Sequence, residues 1–123
     1  MSVEELYNYC LSIHGAEATT PFDETTLVMK VCGKMFALIP LDADQLSISL
    51  KCDPELAQSL REQYMCVEGA YHMNKKYWNT IRITGEMSVD DIKRWINHSV
   101  DEVLKKLPKS KQKEYNESKL SDN

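Results

Sequence analysis

The chain has 123 residues, 42% of them hydrophobic and 28% charged, with a formal net charge of −4 at pH 7. That length holds one domain with one hydrophobic core and requires neither disulfides nor a structural metal. The acidic balance weighs against strong non-specific attraction to phosphate backbones, and the lack of any apolar run approaching about 18 residues excludes a membrane-spanning helix.

The first element is a helix. Ser2 followed by Glu5 reads as a capping box, and Val3, Leu6, Tyr7, Cys10, Leu11 and His14 recur at helical spacing until Gly15 ends the run. A polar stretch from Ala18 to Thr25 follows, with no element predicted in it. Leu27 to Val31 and Met35 to Ile39 then read as strands joined by a tight hairpin through Gly33-Lys34. After a turn at Asp42 to Gln45, Leu46 to Lys51 alternates strictly. Leu46, Ile48 and Leu50 face a core, and Ser47, Ser49 and Lys51 face away.

Asp53-Pro54 combines a capping residue with proline at the first helical position, so a helix is predicted from there to about Tyr64. Cys66 to Tyr71 and Tyr77 to Thr84 are two further strands. The last helix is capped by Ser88, keeps a helical period from Val89 to Leu107, and stops at Pro108. Residues 108–123 are lysine-rich with little to bury, which predicts a flexible tail after a domain spanning residues 1–107. The predicted fold is therefore α+β: a two-layer sandwich of order α-β-β-β-α-β-β-α, with a five-stranded, mostly antiparallel sheet and helices on one face.

The chemistry-bearing motifs are few. The glycines are scattered singly, so no phosphate loop is present, and no nucleophile elbow or zinc-binding spacing occurs. Cys10, Cys32, Cys52 and Cys66 form no close pair and read as four buried, reduced thiols. No catalytic constellation, metal site or cofactor is expected. The acidic N-terminal residues lack an apolar signal core, which predicts a cytoplasmic protein.

One segment stands apart. His72-Met73-Asn74-Lys75-Lys76-Tyr77-Trp78-Asn79-Thr80-Ile81-Arg82 concentrates cations, aromatics and amides in an otherwise acidic chain. If Ile81 faces the core, pleat alternation places Trp78, Thr80 and Arg82 on the open face, where Trp78 would stack on a base or anchor a partner. The alternative is that Trp78 fills a core edge and the lysines are solubility charges.

This same segment resembles the signature of the MmcQ/YjbR family of small bacterial proteins. Lys34-Met35-Phe36-Ala37, Leu50-Lys51-Cys52-Asp53-Pro54, Tyr9-Cys10-Leu11-Ser12, Pro21-Phe22 and the late Ser99…Val103 with Leu107-Pro108-Lys109 resemble that family as well. The resemblance spans about residues 3 to 109. Tyr77 departs from it, standing where the family often has histidine. The resemblance implies the two-layer fold of secretion chaperones and a DNA-binding label with no assigned reaction. By motif it implies Lys34, Lys51, His72, Asn74, Lys75, Lys76 and Trp78 as binding residues, to which the open-face argument adds Arg82. The expectation is a non-enzymatic, monomeric module that binds DNA in a salt-sensitive way. A protein-interaction or chaperone-like domain using the open sheet face is the second reading.

Overall fold

The computed structural model describes residues 1–20, 25–71 and 73–121; the Pro21-Phe22 motif lies outside them. In chain order the elements are α1 (Val3–Ser12), β1 (Ala16–Thr19), β2 (Thr26–Val31), β3 (Lys34–Pro40), β4 (Ser47–Lys51), α2 (Pro54–Gln63), β5 (Val67–Gly69), β6 (Trp78–Arg82), α3 (Val89–Leu104) and α4 (Lys109–Ser121). The strands form one sheet of order β1-β2-β3-β4-β6-β5, antiparallel at every junction. The predicted class holds, with two additions.

The first addition is β1, a short Ala-Glu-Ala-Thr edge strand. Its alternation, Ala16 and Ala18 against Glu17 and Thr19, is short and weakly apolar, and it forms because its backbone pairs with β2, Ala16 opposite Val31 and Thr19 opposite Val28. The second is α4, which replaces the flexible tail expected after Pro108. Its sequence buries no residue fully, but Lys111 pairs with Glu114 at 3.5 Å and Lys113 with Glu117 at 3.9 Å along the helix. Tyr115 then anchors it: its hydroxyl donates to the His14 carbonyl at 2.7 Å, and its ring meets the His14 ring edge-on at 5.2 Å. Gly15, at φ +76°, leaves room for that ring, since a Cβ there would lie 3.3 Å from Tyr115 Cε2. Low burial was the wrong guide where helix propensity and one aromatic anchor suffice.

The core lies between one sheet face and the helices. Met29, Val31, Phe36, Ala37, Ile39, Ile48, Leu50 and Ile81 meet Leu6 and Cys10 of α1, Ala57 and Leu60 of α2, and Ile92, Ile96, Val100 and Val103 of α3. Side chains of β4 and β6 share faces as register requires: Ile48 lies opposite Ile81, and Lys51 opposite Trp78. Between Met29 and Lys30 the register slips, leaving Phe36 as an extra residue of β3. This bulge lets Phe36 and its neighbour Ala37 both bury completely.

The caps read from sequence are in place. Ser2 Oγ accepts from Glu5 N and Glu5 Oε1 from Ser2 N, while Asp53 and Ser88 accept from Leu56 N and Asp91 N. Of the four cysteines, Cys10, Cys52 and Cys66 are buried as expected but Cys32 is exposed. Cys32 and Gly33, at φ +51° and +74°, form the two-residue turn between β2 and β3, and a turn tip faces solvent whatever residue occupies it. Burial pushes the Cys10 and Cys52 thiols up to about 12.

Candidate functional site

Antiparallel order brings the start of β3, the end of β4 and the start of β6 to one end of the sheet, and the last turn of α3 reaches the same end. There Lys34, Lys51 and Lys106 line a notch of about 290 Å³ whose remaining walls are Met35, Val103 and Leu107. No carboxylate lines it among the described residues. Glu102, one residue before Val103, is only 8% exposed and is held by Lys105 at 2.5 Å, so its charge is already matched. That contact holds the Lys105 ammonium above its ordinary pKa. Among the described residues none of Lys34, Lys51 and Lys106 forms an ion pair.

Lys51 is positioned by a side chain from the helix layer. Ser99 is fully buried in α3; its hydroxyl accepts from the Lys51 N–H at 2.9 Å and donates to the Phe36 carbonyl at 2.6 Å. The β3–β4 ladder pairs only Ala37 with Leu50 and Leu38 with Ser49 before the bulge spreads the strands. Ser99 satisfies the two backbone groups stranded beyond that point.

The connection from β5 to β6 folds back on the same end, with Cys52 N–H donating to Tyr77 O and Ala70 N–H to Trp78 O. Asn74 shapes it: its Oδ1 accepts from Lys76 N at 3.0 Å, making Asn74 a turn residue. The stem of Lys75 lies where a Cβ on Gly69 would come within 3.2 Å, so glycine there makes room for it. The Lys76 ammonium sits 5.4 Å from the Tyr77 ring centre. His72 lies outside the described residues.

Trp78 and Arg82 correct the sequence reading. Register does place Trp78 on the face opposite the helices, beside Lys51. It is only 8% exposed, however, so its ring is not available for stacking on a base. Alternation chooses a face but says nothing of what packs on it: Val28, on the same face through Leu38 and Ser49, is fully buried as well. Arg82 lies at the opposite end of β6. Its guanidinium pairs with Glu68 at 2.9 Å and donates to the Met65 carbonyl at 2.6 Å. Nearby Glu86 accepts from Met65 N and Cys66 N, which holds its carboxyl below the usual range. Arg82 thus belongs to a charge-matched corner away from the notch.

Three contributors escaped the sequence reading. Lys106 belongs to none of the motifs read from the sequence. Arg61 of α2 donates to Asn79 Oδ1 at 2.6 Å and to the carbonyls of Lys75 and Trp78, clamping the β5–β6 connection. Asn79 is itself buried and donates to Ala57 O at 3.1 Å. The amide of Asn79 was visible in the motif, but its partners lie in another element.

A helix-backed antiparallel sheet defines a small two-layer α+β domain, and three of its lysines line a notch at one end of the sheet. The family model described as YjbR matches residues 11–101. The chain belongs to the YjbR family. It is 32% identical over 113 residues to the uncharacterised protein YjbR of Escherichia coli strain K12, covering 92% of this chain and 96% of that protein. It is also 32% identical over 103 residues to the uncharacterised protein YbdF of Escherichia coli O157:H7, covering 84% of each. Among solved structures, the Deinococcus radiodurans protein DR2400, with family-model domain DUF419, matches with a TM-score of 0.87 at 34% identity. That match covers 94% of this chain and 88% of the other. A crystal structure of a Pseudomonas syringae protein matches with a TM-score of 0.70 at 26% identity, covering 80% of this chain and 96% of that one.

Proposed function

We propose that this chain is a non-enzymatic, cytoplasmic binding module that holds the phosphate backbone of nucleic acid at the lysine-bearing end of its sheet. One observation carries the reading: Lys34, Lys51 and Lys106 line a single notch without a carboxylate among its described walls, in a chain of net charge −4. Local cationic focus in an acidic protein gives contact at one place and repulsion elsewhere, which suits modest, salt-sensitive binding. Lys75 and Lys76, on the connection that adjoins Lys51, extend the same positive end. Because the Trp78 ring is covered, backbone contacts and not stacking supply the affinity.

Titration of a fluorescent duplex by anisotropy at several salt concentrations tests this. Each phosphate neutralised contributes about −0.9 to the log–log salt slope, so the triple variant K34A/K51A/K106A should flatten the slope by roughly 2–3. Arg82→Ala should leave it unchanged. No binding at low salt, or an unchanged slope in the triple variant, would remove the proposal.

A protein-interaction role has one observation in its favour. A hollow of about 440 Å³, lined by Val3, Tyr7, Leu27 and Leu41 among others, lies beside the edge strand β1. That reading takes precedence if nucleic acid fails to bind.

A further inference from the structure

The notch is concave and small, and its three lysines come from different elements. Lys34 opens β3 at the hairpin, Lys51 closes β4, and Lys106 follows α3. A binding surface for continuous duplex backbone spreads its cations along a track, so that each meets a separate phosphodiester. Here three lysines line a single volume of about 290 Å³, at the lower edge of what a small-ligand pocket occupies and sufficient for one phosphate with part of its sugar. Each phosphodiester carries one negative charge, whereas a phosphomonoester carries about 1.5 to 2 at pH 7 and exposes three acceptor oxygens. Lysine acts on phosphate as a compact point charge with rotatable donors, so three lysines match three oxygens without fixed planar geometry. The apolar walls, Met35, Val103 and Leu107, suit the carbon edge of a sugar and keep bulk water from one side of the charges.

We infer that the notch formed by Lys34, Lys51 and Lys106 binds a terminal phosphomonoester, the phosphorylated end of a nucleic-acid strand. This rests on the nucleic-acid reading above and narrows it from backbone to strand end. The chemistry is shared with free mononucleotides, and the notch distinguishes the two by what continues beyond it. A strand leaving the notch across the β4–β6 pair would pass the connection that carries Lys75 and Lys76, which joins the end of β4 through Cys52 N–H and Tyr77 O.

The test uses the full chain and one labelled single strand in three forms: a 5′-phosphate, a 5′-hydroxyl, and a 5′-phosphate capped as its methyl ester. The capped form keeps the size of the phosphate but carries the charge of a diester. The phosphorylated end should bind about tenfold tighter than either other form, and K34A/K51A/K106A should erase that preference while its far-ultraviolet dichroism stays native. A nucleoside 5′-monophosphate should compete at least tenfold more weakly than the phosphorylated strand. Equal affinity for the three forms, with all lost in the triple variant, overturns the strand-end inference and leaves backbone binding standing. Competition by the mononucleotide as strong as by the strand overturns it in favour of a free nucleotide. No binding of any form overturns both readings.

Discussion

Replacing Ser99 with alanine removes one oxygen and strands two backbone groups. In the native fold that hydroxyl accepts from Lys51 N–H at 2.9 Å and donates to Phe36 O at 2.6 Å, from a fully buried position. A buried donor or acceptor left without a partner costs about 1–3 kcal/mol. Two such groups are created, and the sheet can relax somewhat at the bulge beside Phe36. Alanine is also the better helix former, by roughly 0.5 kcal/mol. The net expectation is a loss of about 2–4 kcal/mol. With a urea dependence of about 2 kcal/mol per molar for a domain of this size, the unfolding midpoint should fall by about 1–2 M at unchanged slope. Urea titration followed by circular dichroism reads this directly. A fall below about 0.5 M would mean that water or a relaxed ladder satisfies Lys51 and Phe36, and the account of how Lys51 is positioned would fail.

Two further outcomes are expected. In the native protein at pH 8 a thiol reagent should label Cys32 and spare Cys10 and Cys52, whose thiols burial pushes from an ordinary 9.0 up to about 12. Those two thiols release protons more readily in the unfolded chain. Their contribution to stability is intact below pH 9 and is lost as pH rises toward 12, and urea midpoints measured across that range should decline accordingly; rapid native labelling of all cysteines would contradict the burial. Tyr115→Ala should cost about 1–2 kcal/mol and lower helical ellipticity, because a helix as short as α4 is marginal in water without its tertiary anchor. An unchanged spectrum and midpoint would show that α4 stands on its local charge pairs alone.

Much of the fold is legible residue by residue. Ser2 with Glu5, Asp53 with Pro54, and Ser88 before Asp91 mark helix starts because caps are hydrogen bonds between residues three apart. The alternation from Leu46 to Lys51 assigns Ile48 and Leu50 to the core because side chains of a strand point to opposite faces by geometry. The family motifs are equally local, and they select Lys34, Lys51 and the segment around Trp78. Asn74 and Asn79 lie in that segment too, yet their roles are structural.

What the sequence by itself determined, then, are features set by neighbours within a few positions: caps, periodicity, turn chemistry and the α+β class they imply. Tertiary structure alone decided the rest. β1 exists because β2 offers it a ladder, and α4 docks because Tyr115 finds Gly15 and His14 a hundred residues away. Trp78 is covered on the face away from the helices, and Arg82 is neutralised by Glu68 on the neighbouring strand. The meeting of Lys34, Lys51 and Lys106 requires a hairpin, an antiparallel ladder and the end of a helix to arrive at one place. Contacts of that kind depend on how whole elements pack, and packing is decided by the summed burial of the core, not by any short pattern along the chain.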